Sequence, residues 1–200
     1  MKLLYTKIWN LAKPFYKKGR PMDIDHIQWM MKMVKIVCKK EGLDEEILMP
    51  LAILHDVGYA ILLDPVNTNY YKKDVRKAHM KTGEEIAKKI LASVNYPKDK
   101  SKRIIKYVGI HDNWAFGEVE IYINDRILGT FKDLDYLWIY TKKGFDAIKK
   151  VLHKNEAEMF KQLKDEVSPI YGKKPFSTSL TRTLREIYLQ ERKIEYNLLE

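Results

Sequence analysis

The 200-residue chain is expected to be all-α. Apolar residues recur at helical spacing, as in Ile24, Ile27, Met30, Met31, Val34, Val37 and Cys38. Breaks at Gly19–Pro21, Gly42 and Pro97 divide the chain into helix-length pieces. The alternation of strand and helix that marks a doubly wound sheet is missing, as are a glycine-rich phosphate loop and a Gly-x-Ser-x-Gly elbow.

Residues 2–18 make a first helix whose charges are all basic (Lys2, Lys7, Lys13, Lys17, Lys18), limited or bent by Pro14. A second runs from Asp23 to Lys40, carries His26 in its first turn and stops at Gly42. A third, over 44–57, has Asp44 as N-cap and Gly58 as a left-handed C-terminal cap, and delivers His55 and Asp56 in its last turn. Residues 59–71, with Asp64-Pro65 and Asn67-Thr68-Asn69, form a loop of the kind that serves as a lid or substrate wall. Asp74–Val94 is helical, with His79 and Gly83 on one face, the glycine permitting close approach of another element. Pro97 or Lys98 opens a helix to about Ile110 that ends in a second pair, His111-Asp112. Residues 118–131 are ambiguous, since Val119, Ile121 and Ile123 alternate like a strand in helical surroundings. Asp133 to Trp138 begins or enters another helix, and the remainder is helical apart from a break at Ser168–Ser177 (Pro169, Gly172, Pro175). The last helix has an apolar stripe (Leu180, Leu184, Ile187, Ile194, Leu198), assigned to packing within the chain, with a homodimer as its other use. The expected divisions are a basic helix over 1–20, a helical domain over 21–141 and a helical extension over 142–200 packing on that domain.

With 46% hydrophobic and 32% charged residues the chain is long enough to bury a core. Its 37 basic against 27 acidic residues, a net +10, favour an anionic partner: phosphate ester, nucleotide, nucleic acid or membrane surface. Lysine-rich faces are also commonly plain solvated surface. Cys38 is alone, which excludes an intramolecular disulfide and a cysteine-based zinc site and fits a reducing compartment. Lys7, Asn10 and Lys13 spoil the N-terminus as a signal peptide, and the apolar window Ile47–Leu63 contains His55 and Asp56. A cytoplasmic protein without a membrane role is expected.

Side chains 100° apart on a helix, like His55 and Asp56, reach one object only if it lies between them. A divalent cation fits that place, because neutral imidazole and carboxylate both ligate it. A lone pair of this kind has a plain alternative, a hydrogen-bonded core histidine beside a capping aspartate. Of the five histidines, however, His26, His55, His79 and His111 each fall on a different helix of the first 112 residues, toward an apolar face or helix end. Only His153 stands apart, in a lysine-rich, surface-like helix. A convergent metal or phosphate site explains that distribution better than chance burial.

The order His26 … His55-Asp56 … Asp135 resembles the HD-domain superfamily of metal-dependent phosphohydrolases. Its motif words here are Ile24-Asp25-His26, Leu54-His55-Asp56-Val57-Gly58 and Lys132-Asp133-Leu134-Asp135-Tyr136-Leu137, and the resemblance covers roughly residues 20–140. It implies an HD-domain-like helical bundle with an additional C-terminal segment, and a divalent ion (Mn, Fe, Co, Ni, Zn or Mg) held by His26, His55, Asp56 and Asp135. The family's Asp-Ala-Asp-Arg-Leu word is here Asp-Leu-Asp-Tyr-Leu, which leaves Asp133 as the reserve for Asp135. His79 and His111 resemble the extra histidines of many members, and would bind a second metal or the substrate phosphate.

The implied activity is hydrolysis of a small phosphorylated substrate. A bound cation lowers the pKa of water, from ~16 toward ~7 in the best zinc case, and polarises the phosphoryl oxygen. Charge developing on the phosphoryl oxygens calls for cationic groups. Candidates are His79, His111 and one of Lys72, Lys73, Arg76 or Lys77. Arg76 leads, lying three residues before His79 with a guanidinium that forks onto phosphate. Asp56 is also a candidate to orient or deprotonate water, and Asp112 a weaker one better placed as a cap. Tyr59, Tyr70, Tyr71, Trp114 and Phe116 are candidates to stack on a base, or are simply core. Two other readings stand beside this one: a non-catalytic nucleotide- or nucleic-acid-binding regulatory domain, whose affinity would fall steeply with salt, and a structural metal or iron–oxygen site such as a minority of similar proteins use.

Overall fold

Helix α3 (Glu45–Leu54) is the centre of the molecule: every residue from Ile47 to Leu54 is buried. The computed structural model describes residues 2–61, 70, 72–165 and 176–198. Among these, α1 (Leu3–Lys18), α2 (Asp23–Glu41), α5 (Lys98–Ile110) and α7 (Arg126–Leu137) pack around α3. Helix α4 (Lys73–Ser93) lies against α5 and against a 3-10 turn at Val57–Ile61. A short α6 (Glu120–Asn124) precedes α7, and α8 (Lys142–Val151), α9 (Glu156–Asp165) and α10 (Ser179–Glu195) complete the order. One hydrophobic core joins Tyr5 and Ile8 of α1 to Phe145, Met159, Leu163 and Leu189 of the last three helices. No strand occurs among the described residues, and none of their helices is long and apolar enough to cross a membrane.

The local chemistry explains the boundaries. Gly42 ends α2 in the left-handed region at φ 65°, and the Asp44 carboxylate caps α3 by accepting from Glu46 N at 2.8 Å. Pro50 sits inside α3, where its ring nitrogen cannot serve the Glu46 carbonyl; the Tyr96 hydroxyl donates there instead, at 2.6 Å. At the other end the Ala52 carbonyl accepts from His55 Nδ1 (3.0 Å) and the Ile53 carbonyl from the Tyr16 hydroxyl (2.7 Å). These side chains satisfy the carbonyls that a helix end leaves open, so α3 stops at Leu54 and His55 becomes its C-cap.

Gly58 corrects one expectation. It is not a left-handed cap but lies within the 3-10 turn at Val57–Ile61. A Cβ there would collide with the His79 carbonyl oxygen and stand 2.6 Å from Gly83 N. Gly83 matches it across the contact, its own Cβ position being 3.4 Å from the His55 carbonyl. The two glycines let the turn press directly on the helix that carries His79. The 118–131 ambiguity resolves to α6 and α7, with Tyr122 buried and Ile123 half exposed. His153 lies in the turn between α8 and α9 at φ 53°, not in a helix. Helix α10 packs on α7, α9 and α2, yet buries Leu189, Thr181 and Arg192 while Ile187 and Ile194 face outward. The loop motifs at 64–69, Tyr71 and the break residues Pro169, Gly172 and Pro175 lie outside the described residues.

Candidate metal centre

Five helices converge on one spot. His26 comes from the first turn of α2, His55 and Asp56 from the end of α3, His79 from α4, His111 and Asp112 from the end of α5, and Asp135 from α7. All are buried except Asp135, whose side chain is 17% exposed. His26, His55 and Asp135 present ligand-type atoms within 4.8 Å of one another, and so do Asp56, His79 and His111. A third set, Asp23, His26 and Asp56, meets the same limit.

Asp56 is the shared member. Its Oδ2 lies 3.4 Å from His55 Nε2, while Oδ1 lies 3.2 Å from His111 Nε2 and 3.4 Å from His79 Nε2. On the other side, Asp135 Oδ1 stands 3.6 Å from both His26 Nε2 and His55 Nε2. Ligands bonded at ~2.1 Å to one ion lie ~3.0 Å apart at right angles and ~3.4 Å apart in a tetrahedron, so this spacing suits a common cation.

The imidazoles are oriented from behind. His55, His79 and His111 turn Nδ1 to the carbonyls of Ala52 (3.0 Å), Val75 (3.3 Å) and Val108 (2.8 Å). A ring donating from Nδ1 presents Nε2 as a lone pair, the arrangement that metal-binding histidines adopt. His79 Nε2 and His111 Nε2 are 3.1 Å apart, so two lone pairs face one another unless a cation or proton lies between them. The Nε2 atoms of His26 and His55 are buried with no hydrogen-bond partner among the described residues. Orphaned ring nitrogens beside carboxylates are what an ion would satisfy.

The electrostatics agree. Burial pushes His26 down to about 3, so it is neutral. Burial also opposes the charge on His55, but the carboxylates of Asp56 and Asp135 prevail and raise it to about 9. Burial works against the Asp56 and Asp135 carboxylates too, yet both stay below the usual range: Asp56 beside His55, His111 and His79, Asp135 beside Lys132, His55 and His26. This is a pocket that draws positive charge.

A cavity of about 180 Å³ opens over the cluster. Arg76 lines it, its Nη1 donating to Asp112 Oδ2 at 2.7 Å. Asp112 is therefore an arm of the site rather than a helix cap, and it also accepts from Trp114 Nε1 at 3.1 Å. Lys72, which precedes α4, and Lys73 and Lys77 on it are exposed and are not among the lining residues. Tyr59, Tyr70 and Trp114 line the cavity whereas Phe116 does not, and Tyr59 stacks flat on His79 with centroids 4.0 Å apart. The reserve candidate Asp133 points elsewhere: it accepts from Ser177 N (2.6 Å) and Thr181 Oγ1 (2.7 Å) and so ties α10 to α7.

Three charged contributors were not singled out from the sequence. Arg20 reaches Asp23 Oδ1 at 3.0 Å and Asp56 Oδ2 at 3.5 Å, and Lys132 reaches Asp135 Oδ2 at 3.0 Å. Burial pushes Asp23 up to about 7 against the pull of Arg20. The available signal was spacing: Arg20, Asp23 and His26 fall three apart, as do Lys132 and Asp135.

Fold and site together define an all-helical bundle around a buried histidine–aspartate group that could hold a metal ion. The HD domain family model matches residues 23–164, and the chain belongs to this family. HD domains are generally metal-dependent phosphohydrolases, with some non-catalytic members. No curated protein and no solved structure matches the chain.

Proposed function

We propose that the protein is a metal-dependent phosphohydrolase acting on a small phosphorylated substrate. The observation that carries this reading is the pair of buried nitrogens, His26 Nε2 and His55 Nε2, that have no hydrogen-bond partner among the described residues and stand 3.6 Å from the Asp135 carboxylate. His26, His55, Asp56 and Asp135 would hold the ion. Bound there, a divalent cation supplies a Lewis acid for the phosphoryl oxygens and lowers the pKa of water.

The remaining work falls to side chains. Arg76, steadied by Asp112, and Lys132, steadied by Asp135, line the cavity and are the cations for charge that builds on the phosphoryl oxygens. Asp56, beside the proposed ion, would orient or deprotonate the attacking water. The Asp56–His79–His111 group offers donors of the same kind as the first. A second equivalent of metal would put His79 and His111 among the ligands, while a single equivalent leaves them to bind phosphate.

The test combines metal content with turnover of p-nitrophenyl phosphate in added Mn²⁺. We expect one or two equivalents of divalent ion in the wild type. His55→Ala and Asp56→Ala should lose the ion and roughly 10²–10³-fold or more in kcat with helicity retained. A wild type that takes up no divalent ion, or a His55→Ala variant turning over at the wild-type rate, would overturn the reading.

A further inference from the structure

The cavity over the histidine–aspartate cluster has two chemical halves. One is ionic: Arg20, Arg76 and Lys132 with the acids they pair. Tyr59, Tyr70 and Trp114 lie against these cations. The other half is largely apolar: Met22, Tyr136, Trp138, Ile139, Ile148 and Val151. Trp138 is buried and stacks on His26 at 5.4 Å, at the floor of the apolar half. Met22, Tyr136, Ile139 and Ile148 are half-buried, and Val151 is 38% exposed at the rim. Apolar side chains thus line the cavity from Trp138, beside the cluster, to Val151 at the surface.

The polar inventory is as informative. No serine, threonine, asparagine or glutamine occurs among the described lining residues. Tyr136 and Ile148 belong to α-helices, where backbone groups are bonded within the helix. The side-chain polar atoms of this wall are the Tyr136 hydroxyl and the Trp138 indole N–H, so most polar edges of a nucleobase or sugar laid along it would go unmet, at a cost that a hydrocarbon does not incur. Hydrocarbon against this wall is instead favoured by removal of apolar surface from water.

We infer that the substrate is a phosphate ester of an apolar alcohol, its phosphate in the ionic half and its alkyl or aryl group along the wall from Trp138 to Val151. The inference rests on the proposed phosphohydrolase reading, and specifies the group that leaves. Ile148 and Val151 of α8 are then specificity-determining residues, outside the motif residues of the cluster.

Binding of alkylphosphonic acids, which keep the anionic head but cannot be hydrolysed, tests it. Calorimetry on the Mn²⁺-loaded protein would compare methyl-, butyl- and octylphosphonate, below their aggregation concentrations, with adenosine 5′-monophosphate. We expect Kd to fall along the series by up to about four-fold for each methylene that is buried, and the nucleotide to bind less tightly than butylphosphonate. Ile148→Glu should flatten the series, and Val151→Glu, at the exposed rim, serves if the first variant does not fold. Equal affinity across the series, or tighter nucleotide binding, overturns the inference while leaving the phosphate site intact. Absence of binding by any phosphonate, with Mn²⁺ present, overturns the phosphate site and the inference together.

Discussion

At the scale of single residues, the site is built by satisfying helix ends. The two His-Asp pairs repeat one device. Each histidine caps its helix by turning Nδ1 to the carbonyl three residues back, and a tyrosine hydroxyl takes carbonyls nearby. Tyr16 serves Ile53, and the one hydroxyl proton of Tyr122 is shared between Ile110 (2.7 Å) and His111 (2.9 Å). Tyr122→Phe is expected to leave carbonyls at the end of α5 unsatisfied and to cost ~1–3 kcal/mol, read by urea unfolding; an unchanged midpoint would contradict the capping role. Gly58→Ala should cost ~1–3 kcal/mol or more, since its methyl group must displace the His79 carbonyl. It should also weaken metal uptake, checked by titration with Mn²⁺. The site histidines were legible in the sequence because residues of one chemical type recur at separate helix ends. The role of Gly58 was not, because a glycine after an apolar helix looks the same whether it serves a positive φ or a close crossing. Arg20 and Asp23 escaped notice because they stand at a chain break, where no periodicity points inward.

At the scale of elements, α7 does two jobs with acids two residues apart. Asp135 faces the histidines, and Asp133 faces α10. The motif alone left both open, since a helix turns 200° over two residues and only the packed neighbours decide which side is the site. Helix α7 is itself started by Asp125, whose carboxylate accepts from Ile127 N (3.0 Å) and Leu128 N (3.1 Å), with Tyr107 and Arg103 alongside. Burial raises the Asp125 pKa, but the Tyr107, Leu128 N and Arg103 hydrogen bonds and the Arg103 charge lower it further. The native carboxyl then binds protons less readily than the unfolded one. Its stabilisation is complete above the ordinary value of 3.8 and is lost as pH falls through the lowered native value. Asp125→Ala should therefore cost ~1–2 kcal/mol at pH 7, with the gap from wild type narrowing below about pH 4; a gap constant from pH 7 to 3 would refute it. The alternation at Val119, Ile121 and Ile123 misled because the buried side chain of that turn is Tyr122, which sits between them.

For the whole molecule, the first five helices follow from periodicity and breaks, whereas the division of the next stretch into α6, α7, α8 and α9 and the seating of α10 do not. Its outward Ile187 and Ile194 belong to the stripe that looked like a packing face, and the inward Thr181 and Arg192 look like surface. Arg192 donates to the Tyr140 carbonyl at 3.0 Å, a partner no local pattern discloses. Since the proposed ion would bind only the folded cluster, Mn²⁺ at 100-fold over its Kd should add about 2.7 kcal/mol of stability. This corresponds to a rise of roughly 5–10 °C in melting temperature, and His55→Ala should remove it. A wild-type melting temperature indifferent to both Mn²⁺ and chelator would argue against an ion at this site. The Asp133 carboxylate, buried and pushed up to about 7, has a further consequence. Its hydrogen-bond donors lie 44 and 48 residues downstream, at Ser177 and Thr181. At 5–20 residues per second, a ribosome adds them roughly 2–10 s after the aspartate. The newborn α7 therefore has to keep this acid hydrated or protonated until Ser177 and Thr181 have been added and α10 can dock on it.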